Sequence, residues 1–326
     1  MIVAESAAGA PGDAARSDEG LTPRPFELPL RLGPLKLATP SILLSQIELD
    51  GLLFAGVREV RDADLPARSV AFAAVPDEAA AMPTIRLHDG HIDYVHHRYT
   101  RCWIDMRGAF DAYQTACLSA KLRSDIRRQT KRFLEHTGET ALDVRFYRTA
   151  QEIEAFSVLA EQISARTFQE KTAGCGWPRG EDFKRGLMRS AERDGCFGSI
   201  LCANQMPVSY QFMTRKNKRL IGTYIGFDPA YQKYSPGKIH MLACIRHLFD
   251  DPSSEIYDFA GGGFRYMIDF SSDRAACADM LRLSPRPWHL LVIGAHLTLA
   301  TLARKVTALC DGLRLKECLR RKLRGR

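Results

Sequence analysis

The stretch Thr223–Leu248 constrains this chain more than any other. Thr223-Tyr224-Ile225-Gly226-Phe227 is a β-branched and aromatic run, which predicts a strand. Asp228-Pro229 ends it, because proline has no N–H to give to a ladder. Ser235-Pro236 then opens a helix that runs through Ile239-His240-Met241 to Leu248, with serine as N-cap and proline as first helical residue. Such a helix start leaves backbone N–H groups, here those of Gly237 and Lys238, at the positive end of the dipole, where an anion can bind. Glycine lets a phosphate approach the backbone, and Lys238 adds a mobile positive charge. An ordinary capped turn has the same pattern, so the loop is either an anion site or a plain connector.

The neighbouring segments frame this loop. Leu142–Tyr147 predicts a strand, and Thr149-Ala150-Gln151-Glu152 a capping box that opens a helix to about Arg166. The loop Gly174-Cys175-Gly176-Trp177-Pro178 is a substrate lid or a connector with Trp177 packed beneath it. A helix over residues 181–193 follows. Phe197–Ala203, Val208–Thr214 and Leu220–Phe227 then form a meander, turning at Asn204-Gln205 and Lys216-Asn217-Lys218. Glu255–Phe259 is the last strand, and Gly261-Gly262-Gly263 after it allows unusual backbone angles.

Residues 109–137 predict one helix closed by Gly138, with Leu122, Ile126, Phe133 and Leu134 near one face. Lys121, Arg123, Arg127, Arg128, Lys131 and Arg132 crowd the remainder. They grip RNA or cofactor phosphates, or they are a solvated face. No aromatic residue interleaves them, so the base stacking usual for single-stranded RNA is missing. From Phe26 to Ile104 the pattern is short strands with no chemical motif. His96 and His97 are adjacent, so a strand points them to opposite faces and they do not serve one metal.

The net charge of +8 suits an anionic partner such as a nucleotide cofactor, RNA or a membrane surface. Nine cysteines are scattered without a C-x-x-C pair, the usage of a reducing compartment, and no zinc site is expected. The start lacks a basic region and an unbroken apolar run, so the expected location is cytoplasmic. Residues 1–24, rich in Ala, Gly, Pro, Ser and Asp, are expected to be disordered. Residues 288–303 are apolar and, as helix, about 24 Å long, short of the ~30 Å hydrocarbon core. The basic tail after them suits either peripheral membrane contact through 288–326 or a packing helix with a solvated end.

Several motifs carry a family resemblance. Gln232-x-x-Ser235-x-Gly237 resembles the Q/R-x-x-G-x-G/A loop by which GNAT acyltransferases hold the pyrophosphate of coenzyme A, with serine in place of the first glycine. Ser164-x-x-Thr167-Phe168-Gln169-x-Lys171, Tyr224-x-x-x-Asp228-Pro229-x-Tyr231, Ser235-Pro236-Gly237 and Tyr257-Asp258-Phe259-x-Gly261-Gly262 occur in that order. Over roughly residues 118–272 they resemble the CelD/BcsL-like acetyltransferases, a GNAT branch related to FemAB peptidyltransferases. Where that family has Gly-Asp and then Tyr-Lys, this chain has Gly262-Gly263-Phe264-Arg265-Tyr266-Met267.

The resemblance implies an α+β fold, a GNAT-like mixed sheet flanked by helices in tandem FemAB-like halves; the residues themselves add a C-terminal apolar and basic helical tail. The corresponding domains are residues 25–140 as a degenerate half, 141–283 as the acyltransferase domain and 284–326 as the tail. The implied function is acyl transfer from acyl-CoA, or from an acyl carrier protein, to an amine on a small molecule, sugar or peptide. No metal and no DNA partner is expected. A FemAB-like transferase using aminoacyl-tRNA, or a binding protein with a decayed site, is the alternative. Gln232, Lys233, Ser235, Gly237 and Lys238 then bind the pyrophosphate. Asp258 is the candidate general base, Tyr224 the donor or proton relay, and Gln211 orients the acceptor; His240 is an outside candidate for acid or base. The acyl thioester is expected in a gap between splayed strands, Val208–Thr214 and Leu220–Phe227.

Overall fold

The computed structural model describes residues 22–33, 35–57, 69–78, 80, 82–167 and 176–312. The elements, in order, are β1 (Arg24–Glu27), β2 (Leu30–Leu32), β3 (Leu35–Ala38), β4 (Ser41–Glu48), α1 (Asp50–Phe54), β5 (Val70–Pro76), β6 (Ile85–His88) and β7 (His91–Asp105). They continue with α2 (Phe110–Cys117), α3 (Ala120–Thr137), β8 (Asp143–Tyr147), α4 (Ala150–Ser164), α5 (Glu181–Ala191), β9 (Cys196–Ala203), β10 (Met206–Lys216) and β11 (Arg219–Phe227). A 3₁₀ turn, Pro229–Tyr234, leads to α6 (Pro236–Phe249), β12 (Ile256–Gly261), α7 (Arg265–Phe270), β13 (Asp273–Leu283) and α8 (Pro287–Gly312). The expected disordered start falls almost wholly outside the described residues, as does the tail beyond Gly312.

The described residues form two compact units, one spanning Tyr99–Ala275 and the other made of residues 22–98 together with 276–312. Helices α2 and α3 therefore belong to the unit that holds the loop before α6. In that unit β8, β9, β10 and β11 form an antiparallel run. Strand β11 pairs in parallel with β12, and β12 antiparallel with the end of β7. A parallel pair needs a crossover, and α6 supplies it. The order strand, two helices, three strands, helix, strand is the one expected of a GNAT core.

Two hydrophobic layers cover this sheet. On one face α4 and α5 bring Ile153, Phe156, Ile163 and Leu187 against Ile200, Tyr210 and Phe212, with Trp177 at the centre. On the other, Met241, Cys244, Ile245 and Leu248 of α6 meet Phe197, Met213, Leu220 and Tyr257, with Leu122 and Ile126 of α3 beside them. The expected single helix over 109–137 is broken. Leu118 is extended, and the Ser119 side chain caps α3 by accepting from the Leu122 N–H. Gly138 ends α3 at φ 72°, and the Thr149–Glu152 capping box is present.

The second unit carries β1 beside β4, β4 parallel to β5, and β5 beside β13, with β2–β3 and β6–β7 as further antiparallel pairs. Its core joins Leu28, Ile42, Leu44, Ile92 and Leu281 to Val292 and Ile293 of α8. Asp93 is buried there and held by Arg282 at 2.7 Å and Arg86 at 2.8 Å. Burial pushes its carboxyl up, but the two guanidinium groups outweigh this and hold it below the usual range. His97 reaches Asp279, while His96 meets the Phe26 ring edge-on. Among the described residues no helix is long and apolar enough to cross a membrane.

One glycine matters for the central strands. A Cβ at Gly226 would lie 2.4 Å from a ring carbon of Tyr210, so the two side chains cannot coexist without movement. Gly226→Ala should cost about 1–3 kcal/mol through overpacking, seen as a lower Tm by calorimetry. An unchanged Tm would mean that the Tyr210 ring swings aside freely.

Candidate functional site

The strands part where the sequence did not suggest. Val208–Thr214 and Leu220–Phe227 were expected to splay. They remain paired from Ser209↔Phe227 to Lys216↔Arg219, with only a bulge between Phe212 and Met213. The divergence lies between β11 and β12. They pair through Arg219↔Ile256, Leu220↔Tyr257 and Ile221↔Asp258, and no ladder joins them beyond Ile221. Thr223–Phe227, still paired with β10, thus has no ladder partners on its β12 side among the described residues. The physical reason is the crossover: β11 runs on into the loop before α6, while β12 enters its glycine-rich turn, where Ala260, Gly262 and Gly263 have φ of 59°, 145° and 57°.

That edge ends at the anion-binding candidate. Asp228 caps the 3₁₀ turn by accepting from the Ala230 N–H at 3.0 Å. Ser235 is the N-cap of α6 by position, but it is left-handed, with φ 53° and ψ 50°, and its side chain caps nothing. The left-handed region is where glycine costs least, which accounts for glycine in the family motif at this position. Lys238 and Ile239 both donate their N–H to the Ser235 carbonyl, at 3.0 and 3.3 Å. The Lys238 N–H is therefore already used, contrary to expectation. Pro236 has no N–H, so of the first-turn donors Gly237 is left for the loop side. The Lys238 ammonium lies 3.4 Å from Asp125 of α3. Gln232 is exposed, and the Lys233 ammonium sits 4.9 Å from the Tyr234 ring centre.

The three expected catalytic side chains are not gathered at one point. Tyr224 packs on the α4 face with Trp177, Phe183 and Phe212. Its hydroxyl has no hydrogen bond among the described residues, and burial raises the phenol above its usual range. Gln211 alternates with Tyr210 and Phe212 and so faces α6. It is 2 % exposed, and neither amide atom has a partner.

Asp258 is fully enclosed. Its carboxylate receives Arg101 of β7, from Nη2 at 2.7 Å and Nε at 3.2 Å, and the Ala260 N–H at 2.9 Å. Arg219 of β11 stands 3.9 Å away. These contacts use the oxygens that a general base would need, and they tie β7, β11 and β12 together beside the strand divergence. Arg101 was missed from sequence because it lies ahead of the family motif. Its signal was a charged residue inside the apolar run Tyr99–Ile104.

His240 is fully buried, with Nδ1 3.0 Å from the Ser209 hydroxyl. That hydroxyl donates to the Gly226 carbonyl at 3.1 Å, so Nδ1 must be the donor to Ser209. Nε2 is then a bare acceptor, and it has no partner. Burial lowers its pKa to about 3. Enclosed in this way, His240 meets no acceptor amine.

The lid candidate is tied down at Trp177. Its backbone N–H donates to Ser164 Oγ at 2.7 Å and its indole to Ser157 Oγ at 3.1 Å. Thr167 donates to the Ser164 carbonyl. Phe168, Gln169, Lys171 and the loop up to Cys175 lie outside the described residues.

The basic face of α3 is partly committed. Arg123 caps α2 by donating to the carbonyls of Gln114, Thr115 and Leu118. Arg128 pairs with Asp125 and Lys131 with Glu135. Lys121, Arg127 and Arg132 have no ion pair among the described residues. Ile126, Arg127, Thr130, Lys131, Leu134 and Leu242 help line a cleft of about 670 Å³ alongside α3 and α6.

Two outcomes test this geometry. Arg101→Met strands a buried carboxylate and should cost about 3–5 kcal/mol; Arg101→Met with Asp258→Leu should recover most of it. Urea unfolding measures both, and a double variant no better than the single would refute the pairing. His240 binds a proton more readily unfolded, near its ordinary 6.5, than folded, near 3. Its contribution is thus intact above pH 6.5 and fades as pH falls toward 3. His240→Asn should therefore lose less stability than the parent on acidification over that window.

The family model described as acetyltransferase (GNAT) domain matches residues 120–267, a little under half of the chain. No curated protein sequence matches at a significant level. Among solved structures, FemX is similar over 83% of this chain and 91% of its own, at 9% identity and TM-score 0.46. L-PGS from Bacillus licheniformis is similar over 70% of this chain and 72% of its own, at 10% identity and TM-score 0.44. The C-terminal domain of a protein described as a lysylphosphatidylglycerol synthetase, from Agrobacterium fabrum, covers 72% of each chain at 12% identity and TM-score 0.44. At these identities the likeness concerns fold alone. The match to a GNAT acetyltransferase domain over residues 120–267 supports an acyltransferase of GNAT fold.

Proposed function

We propose that this unit moves an acyl group from an acyl-CoA thioester to an amine, as in the CelD/BcsL-like branch. One observation carries the reading: the edge Thr223–Phe227, unladdered on its β12 side, leads through one 3₁₀ turn into the helix start at Ser235-Pro236-Gly237. A thioester carrier of this class has an amide-bearing arm joined to a diphosphate. The edge offers backbone donors and acceptors to the arm, and the helix start offers a positive dipole end to the diphosphate. Gly237 supplies the N–H, Lys238 the charge, and Ser235, Gln232 and Lys233 the flanking polar groups.

Tyr224 lies on the edge itself. Burial raises its pKa, so the phenol stays protonated and its O–H can donate a hydrogen bond to the leaving sulfur. Asp258 takes a positioning role, because Arg101 and the Ala260 N–H occupy its oxygens. Gln211 lies under α6, away from Tyr224, and supports that face rather than the acceptor. Residues 25–98 with the chain from Ala276 act as the non-catalytic half. The acceptor is an amine on a small molecule, sugar or peptide, and an acyl carrier protein is a variant donor.

Use of aminoacyl-tRNA is the second reading. The unpaired Lys121, Arg127 and Arg132 on α3 favour it, since free cations are what a polyanion needs. Titration with coenzyme A and with tRNA separates the two. Coenzyme A should bind the parent, and Gly237→Glu should weaken it about tenfold or more, equivalent to ~1.4 kcal/mol. Equal affinity would exclude the loop, and tight, steeply salt-dependent tRNA binding without coenzyme A binding would favour the alternative. Tyr224→Phe should lower turnover while coenzyme A affinity holds.

A further inference from the structure

Helix α8 has two unlike faces. His289, Val292 and Ile293 are buried in its own unit, and His296 Nδ1 lies 2.6 Å from the Tyr94 hydroxyl. Away from that face, Trp288, Leu291, Leu302 and Val306 are 52, 63, 46 and 47 % exposed. At 3.6 residues per turn these four fall within about 60° of one another, along about 27 Å of helix. A helix that packs on one side normally shows polar residues on the other.

The charge of the chain is concentrated next to this stripe. Residues 304–326 hold nine Lys and Arg against Asp311 and Glu317, which is +7 of the net +8. Everything before Arg304 is close to neutral. The cationic surplus therefore belongs to the stretch that follows the exposed apolar stripe, and not to the thioester site.

We propose that α8 lies flat on an anionic phospholipid surface. The stripe from Trp288 to Val306 enters the boundary between headgroups and acyl chains, and the positive charge that residues 304–326 carry in sequence draws the chain to lipid phosphates. An apolar face beside a basic cluster supplies the two signals that stable surface anchoring requires. Trp288 at the start of the stripe is a residue type enriched at such interfaces. The helix rests on the surface and does not span it, since no described helix is long and apolar enough to cross. The stripe also has the spacing of a helix-pairing seam. A second copy is the less favourable occupant, because a parallel pairing would bring two +7 ends together. This inference does not depend on the acyl donor.

The test uses the full chain with vesicles of phosphatidylcholine, alone or mixed with phosphatidylserine. Trp103 and Trp177 are 5 and 2 % exposed, so a blue shift of tryptophan emission on binding reports Trp288. Co-sedimentation with the anionic vesicles and that shift are expected. Leu291→Glu, with circular dichroism unchanged, and Arg320→Ser with Arg321→Ser and Lys322→Ser should each reduce binding about tenfold or more. Protein left in the supernatant with both vesicle types would overturn the proposal. So would a dimer seen by light scattering that Leu291→Glu dissociates, since the stripe would then be a self-interface.

Discussion

The separation of β11 from β12 is the constraint on which the catalytic unit depends. Two parallel strands joined by a helix share a ladder for only three residue pairs, Arg219–Ile221 with Ile256–Asp258. Beyond that point each strand is held by its other neighbour, β11 by β10 and β12 by β7. A wedge opened in this way does not collapse, because each wall stays paired on its other side, β11 with β10 across a bulge and β12 with β7 across a register shift. The helix that crosses over starts where the longer wall ends. Dipole, glycine and strand edge thus come to one place through topology, and no loop has to be ordered separately.

Buried ion pairs set the geometry around that wedge. Asp258 with Arg101 links β12 to β7, and Asp93 with Arg282 does comparable work in the other unit. Strand β7 contributes an arginine to the first pair and an aspartate to the second. Pairs of this kind add little net stability over apolar substitutes, yet losing one partner is costly. They therefore punish misregister. A slip of one residue in β12 would turn Asp258 toward the apolar α6 layer and leave Arg101 without its carboxylate.

How much of this was legible in the residues varied with the range of the interactions. Local signals were sound: the Thr149–Glu152 box, the left-handed Gly138, the meander turning at Asn204-Gln205, and the helix start at Pro236 all encode their own geometry within a few residues. The break at Leu118–Ser119 was overlooked because the apolar face continues across it, and only the serine cap marks the stop. The location of the strand divergence was not legible, since pairing between β11 and β12 is a matter of partners about 37 residues apart. The enclosure of Asp258 was hidden for the same reason, its arginine lying 157 positions earlier. Gln211 was misjudged in its facing: Tyr224 sits opposite Phe212 in the ladder and shares its aromatic layer, so Gln211, one residue along, points to the other side beneath α6.

The contact between Lys238 and Asp125 has a consequence for turnover. At 3.4 Å, and half exposed, the ammonium already has a counter-ion supplied by the protein itself. Under the proposed acyl-CoA reading, an incoming diphosphate has to displace that carboxylate, and a departing one finds it ready to return. On that reading the internal competitor weakens ground-state capture and hastens ejection of the spent carrier, which favours rapid exchange of cargo over tight retention.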